Sequence, residues 1–310
     1  MKLSNFIRVS FLMLAVIGLA FSGCKKDKNS DTSTDYASLQ QLSNDEESVA
    51  STMDESMNDV NNFLSGGNLK STDKVPCGAI VDSTEVVNDT ITIYLTYNGK
   101  NCSGTRFRTG QVEIVKKVGT RWDQAGATVM IKHINFTITK IVKQKTITLN
   151  GVKVHQNVSG GVIRQLGHGT DAIVYRTWGY VDVTFDDGTS KTWNLARQKT
   201  CTGTFPDNLV LTTDGFGTSG EFSNLVTWGI NRKGENFYTR IIQPVVHREV
   251  CDWDPVSGVK KHAIPADSKS ATLTFGYDSN DQPVTGDACP TKFKLDWQRN
   301  NKSGTVYLWL

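Results

Sequence analysis

The sequence predicts a mainly β protein: an antiparallel meander forming a sandwich or a strongly twisted roll, preceded by one amphipathic helix. Three observations lead there. From about residue 75 to residue 310 the chain is rich in Val, Ile, Thr, Tyr and Trp, punctuated by Gly and Asn, as half-buried strands and their turns require. Helical spacing occurs once, ahead of that region. Strand pairs followed by a Gly- and Asn-marked turn recur at 109–139, 174–197 and 223–250, but with irregular spacing and no residue-level repeat, which suits a meander better than the evenly spaced blades of a propeller.

Taken in order, the chain starts with Lys2 and Arg8 and an uncharged apolar run at 11–21, long enough for a signal-peptide core and too short to span a bilayer. Ser22 and Gly23 then precede Cys24, Lys25 and Lys26. Residues 1–23 are read as a signal peptide, and 24–42 as a flexible tether, because 27–35 contain no apolar residue to bury. Residues 43–67 are read as a helix packed on the domain, and 68–310 as one β domain. Ser43 with Glu46 has the spelling of a capping box, and Gly66-Gly67 that of a stop. Val49, Met53, Met57, Val60 and Leu64 fall on one face of that helix, while Asp54, Glu55, Asn58 and Asp59 fall on a face expected to be wet.

Phe21-Ser22-Gly23-Cys24 resembles a bacterial lipobox, and Cys24-Lys25-Lys26-Asp27-Lys28 with the polar stretch behind it is similar to lipoproteins of Bacteroidetes-type bacteria. The resemblance implies cleavage before Cys24, several acyl chains on it, and stable anchoring in the outer membrane, facing the periplasm or the cell surface; one acyl chain alone would bind only marginally. It implies no particular activity.

Within the β region three hairpins can be set by register. Asn150-Gly151 is expected to form a two-residue loop pairing Leu149 with Val152 and Ile147 with Val154. Asp186-Asp187-Gly188 is expected to pair Phe185 with Thr189 and Val181 with Trp193. A four-residue loop at 231–234 would set Trp228 opposite Phe237. Residues 127–140 switch apolar parity, which calls for a bulge near Lys132-His133. The last strand, 305–310, is apolar on both faces and reads as interior.

Beyond Cys24 an odd number of cysteines remains in a chain addressed to an oxidising compartment. Cys77 and Cys102 flank an expected hairpin centred at 87–89, and Cys251 and Cys289 both lie in turn-rich stretches. The proposed bridges are Cys77 to Cys102 and Cys251 to Cys289, leaving Cys201 free. No metal site is expected, since no Cys-x-x-Cys occurs and no His lies at ligand spacing from a Cys.

No catalytic constellation emerges, and no cofactor is expected. Gly215 to Gly220 spell a dinucleotide-binding loop, with Glu235 near the distance of a ribose-binding acid, but a strand pattern follows where a helix is required, so a glycine-rich β connection is expected. His247 and Glu249 would share a strand face, as a proton-transfer pair would; an exposed polar strand face is the favoured explanation. Ten basic residues (Arg106, Arg108, Lys116, Lys117, Arg121, Lys132, Lys140, Lys143, Lys145 and Lys153) stand against Glu113 and Asp123 and read as a solvated basic sheet face, or as one that meets acidic glycans. Trp253 between Asp252 and Asp254, Tyr277, and Trp297 beside Asp296 bring aromatic plates and carboxylates into the C-terminal quarter, the chemistry that binds sugar rings; core packing is the competing explanation. The expected function is that of a non-catalytic envelope lipoprotein binding a surface glycan or an envelope partner protein, with membrane contact through its lipid anchor and no nucleic-acid partner. The alternatives are a glycan hydrolase using carboxylates of that quarter and a structural subunit of an outer-membrane complex.

Overall fold

The computed structural model describes residues 29–66, 75–142 and 144–310. Residues 1–28, and with them the signal run and Cys24, lie outside that range.

Helix α1 runs Asn29–Leu64, about 54 Å at 1.5 Å per residue. It begins well ahead of Ser43 and takes in much of the stretch read as a tether. Leu39 and Leu42 extend the apolar stripe N-terminally and are fully buried, so packing holds a segment whose composition alone would leave it uncoiled. Ser43 is consequently a buried mid-helix residue and not a cap, while Val49, Met53, Met57, Val60 and Leu64 are all buried as their spacing predicts.

Fifteen strands follow: β1 (Ala79–Val87), β2 (Thr90–Lys100), β3 (Arg106–Lys117), β4 (Ala127–Lys140), β5 (Lys145–Asn157), β6 (Ala172–Thr184), β7 (Ser190–Gly203), β8 (Leu209–Gly215), β9 (Gly217–Ser219), β10 (Phe222–Ile230), β11 (Asn236–Arg248), β12 (Pro255–Ile264), β13 (Lys269–Tyr277), β14 (Lys292–Arg299) and β15 (Lys302–Trp309). They form one antiparallel sheet in which neighbours in sequence are mostly neighbours in space. β8 bridges β7 to β11, and β9 pairs with β10. The sheet is thus a roll around α1 and not a two-sheet sandwich. Strands as far apart in the order as β3 and β12 both reach the helix, through Arg106 to Glu55 and Lys260 to Glu46.

Two apolar clusters join the roll to the helix. Leu39, Leu42, Val49 and Met53 pack with Trp193, Phe237, Leu273, Leu295 and their neighbours, and Met57, Val60, Phe63 and Leu64 with Ile93, Val112, Ile131, Phe136 and theirs. The two clusters thus meet successive lengths of one apolar stripe of α1, the first towards its N-terminus and the second towards its C-terminus. Of the residues expected to be wet, Asn58 is exposed, whereas Glu55 and Asp59 are drawn into ion pairs with Arg106 and Arg108.

Several sequence expectations meet the sheet directly. The β6–β7 hairpin has Val181 opposite Trp193, Phe185 bonded to Thr189, and Gly188 at φ +80°. The β1–β2 turn falls at Asn88-Asp89, both at positive φ. Asn150-Gly151 forms no hairpin. β5 runs straight through it, pairing with β4 on one side and β6 on the other. Gly151 is needed there for a different reason: at φ +129° its missing Cβ leaves room for the Tyr180 carbonyl of β6, which would lie 2.6 Å from such an atom. The strand consequently keeps its parity, so Val152 and Val154 point outward and Lys153 and His155 inward.

The expected bulge in β4 lies at residues 134–135, one step beyond His133, with Asn135 at φ +48°. The β10–β11 loop has five residues, because Asn231 Oδ1 accepts from the amides of Lys233 and Glu235. This sets Trp228 opposite Tyr238 instead of Phe237. β15 is an edge strand, not an interior one: Val306 and Leu308 lean on the core while Trp309 is exposed beneath the Lys292 ammonium. Gly215 closes β8 and Gly217–Ser219 forms β9, so the glycine-rich run is a β connection.

Candidate functional site

The seam between α1 and the roll is closed along one side and open along the other. On the closed side, β7, β10 and β12 bring Arg197, Thr227 and Lys260 to Glu46, with Lys260 Nζ 2.8 Å from Glu46 Oε2 and Arg197 Nη2 3.6 Å from Oε1. Burial opposes ionisation of Glu46, but Lys260 and Arg197 outweigh it and hold its pKa at about 2. Near the same helical turn Arg232 grips Asp45 with two nitrogens, at 2.8 and 2.9 Å, and stacks on Phe185.

On the open side a cleft of about 1000 Å³ runs along the polar face of α1. Its helix wall carries Ser51, Asp54, Glu55, Asn58, Asp59 and Asn62. Its floor comes from β5, β6 and β7, whose inward positions alternate Lys153 and His155, Tyr175 and Thr177, and Arg197, Lys199 and Cys201. Antiparallel pairing sets His155 opposite Thr177 and Thr177 opposite Arg197, so these residues lie in adjacent rows. Cys102, Ser103 and Thr105 line one part of the mouth, and Asp252, Trp253 and Asp254 another.

Both disulfides, Cys77 to Cys102 and Cys251 to Cys289, form as expected, and Cys201 is a free thiol on the cleft floor whose pKa burial lifts to about 11. Each bridge therefore sits beside the mouth. The Cys77 carbonyl also accepts from Arg108, whose Nη1 donates to Asp59 at 2.6 Å. Tyr97 completes this group with a 3.1 Å bond to Asp59, and burial raises the pKa of that carboxyl despite the guanidinium beside it.

The five residues proposed for sugar binding separate. Asp252, Trp253 and Asp254 lie together at the cleft mouth, all exposed, on a turn in which Asp252 and Trp253 adopt positive φ. Burial, with Asp252 and Glu47 adding to it, raises the pKa of Asp254. Trp297 instead lies in the core against Tyr36 of the helix, and Tyr277 packs on Tyr307 of β15. His247 and Glu249 do not meet: His247 Nδ1 lies 2.9 Å from the Trp253 carbonyl, and Glu249 Oε2 accepts from the Leu209 amide at 3.0 Å.

The basic set divides as well. Arg106, Arg108 and Lys153 face inward, while Lys132 pairs with Glu113 on the outer side, Arg121 with Asp123, and Lys116 donates to the Thr120 carbonyl; Lys143 lies outside the described residues. No single basic sheet face results.

Sequence reasoning placed Lys153 on an outer basic face and missed that it, His155, Tyr175 and Arg197 form a buried polar floor. His155 is held between Thr177 at 2.8 Å and Asn61 at 3.1 Å, stacks on Trp122 and Tyr175, and is kept neutral by burial, with a pKa of about 3. Lys153 Nζ, Tyr175 Oη and Arg197 Nε are buried without a hydrogen-bond partner among the described residues. Burial, reinforced by Arg197 and opposed by Asp54, lowers the pKa of Lys153 to about 7. The one signal for them was in view: a lysine and a histidine at alternate positions of a strand whose valines take the other face. Among the described residues no cluster of His, Cys, Asp and Glu is arranged to hold a metal, and no helix is long and apolar enough to cross a membrane. No protein-family model, curated protein or solved structure matches the chain.

Proposed function

We propose that this chain is a cell-envelope lipoprotein, anchored through Cys24, that binds a glycan in the cleft between α1 and the roll. The observation that carries the reading is the cleft itself: about 1000 Å³ of concave space with an exposed Trp253 between two carboxylates at its mouth and side-chain amides and hydroxyls along its wall. A sugar ring presents an apolar face to an indole and hydroxyls to amide and carboxylate groups, so this lining complements it. The carboxylates on the helix wall favour binding over hydrolysis, because Asp54 is paired with Lys199, and Glu55 and Asp59 with Arg106 and Arg108.

Two experiments test the two halves of the proposal. Binding of the purified full chain to an array of neutral and acidic saccharides should give saturable signals that Trp253→Ala weakens about tenfold or more, in line with the loss of an aromatic anchor; absence of any saccharide signal would refute the glycan reading. Cys24→Ser should abolish labelling by radioactive palmitate and release the chain from membranes, and unchanged fractionation would refute the anchor.

A further inference from the structure

Lys153 is the least compensated charge in the described structure. It stands on β5 opposite Gly179 of β6, is 1 % exposed, and its Nζ has no hydrogen-bond partner among the described residues. Folding that removes an ammonium from water and returns no partner is expensive, which is why buried lysines are normally paired. Lys260, also inside the roll, has Glu46 at 2.8 Å.

The groups facing Lys153 do not supply a counter-charge. Asp54, the nearby carboxylate of the helix, is already bonded to Lys199 Nζ at 2.5 Å. His155 is neutral and has both ring nitrogens engaged, by Thr177 and Asn61. Arg197 adds a second positive charge whose Nη2 is committed to Thr227 at 2.9 Å and Glu46 at 3.6 Å, leaving its Nε unpartnered. Tyr175 brings an unpartnered hydroxyl to the same floor. Lys153, Arg197 and Tyr175 all line the cleft, and their unpartnered donor atoms are buried just beneath its floor.

From this donor surplus we infer that the floor of the cleft is an oxyanion subsite, in which Lys153 supplies the charge and Arg197, in the adjacent row, supplies a further donor to the acidic group of the ligand. The inference rests on the glycan reading and deepens it: the ligand is an acidic saccharide, its ring at the Trp253 mouth and its carboxylate or sulfate on the floor. Arg and Lys donors bind either oxyanion through charge-assisted hydrogen bonds.

The test is calorimetric titration of the full chain and of Lys153→Met and Lys153→Arg with four probes: glucuronic acid, glucose 6-sulfate, glucose and sodium sulfate. Binding of one or both acidic sugars at least tenfold tighter than glucose is expected, lost by tenfold or more in Lys153→Met and largely retained in Lys153→Arg. Equal binding of glucose and the acidic sugars, unaffected by Lys153→Met, would overturn the subsite and leave the glycan reading standing. Binding of sulfate alone, dependent on Lys153, would uphold the subsite and overturn the glycan reading. No binding of any anionic probe at millimolar concentration would overturn the subsite. Lys153→Met should remain folded by circular dichroism, since it removes an uncompensated buried charge, and Lys153→Arg serves as the second variant if it does not.

Discussion

The two sides of the helix–sheet seam use the same residue types in opposite ways. On the closed side the carboxylate of Glu46 meets Lys260 and Arg197 inside the roll, and each charge finds its complement. On the open side Lys153 is even more deeply buried than Lys260, but the nearby helix carboxylate Asp54 is committed to Lys199 and a cleft takes the place of a partner. The pKa values follow: Glu46 and Glu47 raise that of Lys260 against the effect of burial, whereas burial, helped by Arg197, takes that of Lys153 down to about 7. The closed side fastens the helix to the roll; the open side holds charge in reserve for something outside the chain.

Mutations can break this contrast, beginning with the largest effect. Glu46→Ala leaves Lys260 and Arg197 buried without an acceptor and should cost about 3–5 kcal/mol in guanidinium unfolding, the usual consequence of removing one member of a buried pair. Lys153→Met should do the opposite and stabilise the fold by roughly 2–4 kcal/mol at pH 6, somewhat less than a shift from the usual lysine range to about 7 would give at about 1.4 kcal/mol per unit. The sign of its pH dependence is fixed. Between about pH 7 and 10.5 the unfolded chain retains the lysine proton that the folded chain has released, so the stability of the natural chain rises with pH. Its deficit relative to Lys153→Met should therefore narrow steadily over that interval, as unfolding midpoints at pH 6, 8 and 10 would show.

Gly151→Val should cost about 1–3 kcal/mol, because a side chain at φ +129° meets the Tyr180 carbonyl. That residue lies on the strand that carries Lys153, so the same variant should weaken ligand binding by displacing the floor. The smallest effect on stability belongs to Trp253→Ala at the mouth, within about 0.5 kcal/mol as for other surface changes, while its effect on saccharide affinity should be large. A stability loss as great as that of Glu46→Ala would place Trp253 in the fold's support and not in a binding surface.

The parts of the fold that depend on local rules were legible. The 3.6-residue stripe of α1 and the Asp186-Asp187-Gly188 turn follow from short-range spacing and turn chemistry, and the proposed bridges Cys77 to Cys102 and Cys251 to Cys289 form, although sequence alone does not fix connectivity. Where a residue serves the roll instead of its own neighbours, the same rules misled. Asn150-Gly151 has the spelling of a hairpin, yet Gly151 is there to admit the backbone of β6, and its presence lets Val152 and Val154 face outward while Lys153 turns in. Ser43 and Glu46 have the spelling of a cap, but Leu39 and Leu42 find the far end of the roll and carry the helix through them. Of the candidate site, Asp252, Trp253 and Asp254 were anticipated as sugar ligands, and Arg106, Arg108 and Lys153 only as members of a basic sheet face. Lys153, Arg197 and Asp54 are brought together across α1, β5 and β7, and in a strand pattern a buried unpaired lysine looks the same as an exposed one.

The most direct measurement is the titration of Lys153 Nζ itself, followed by NMR on chain labelled with ¹⁵N-lysine and assigned through Lys153→Arg. An amine that titrates near pH 7 in the free chain, and whose pKa rises when glucuronic acid or glucose 6-sulfate is added at saturation, is the result expected of an uncompensated cation awaiting an anion. An amine that titrates near 10.5 and does not respond to either sugar would show that Lys153 is already solvated or paired, and would contradict the division of the seam into a closed side and a receptive one.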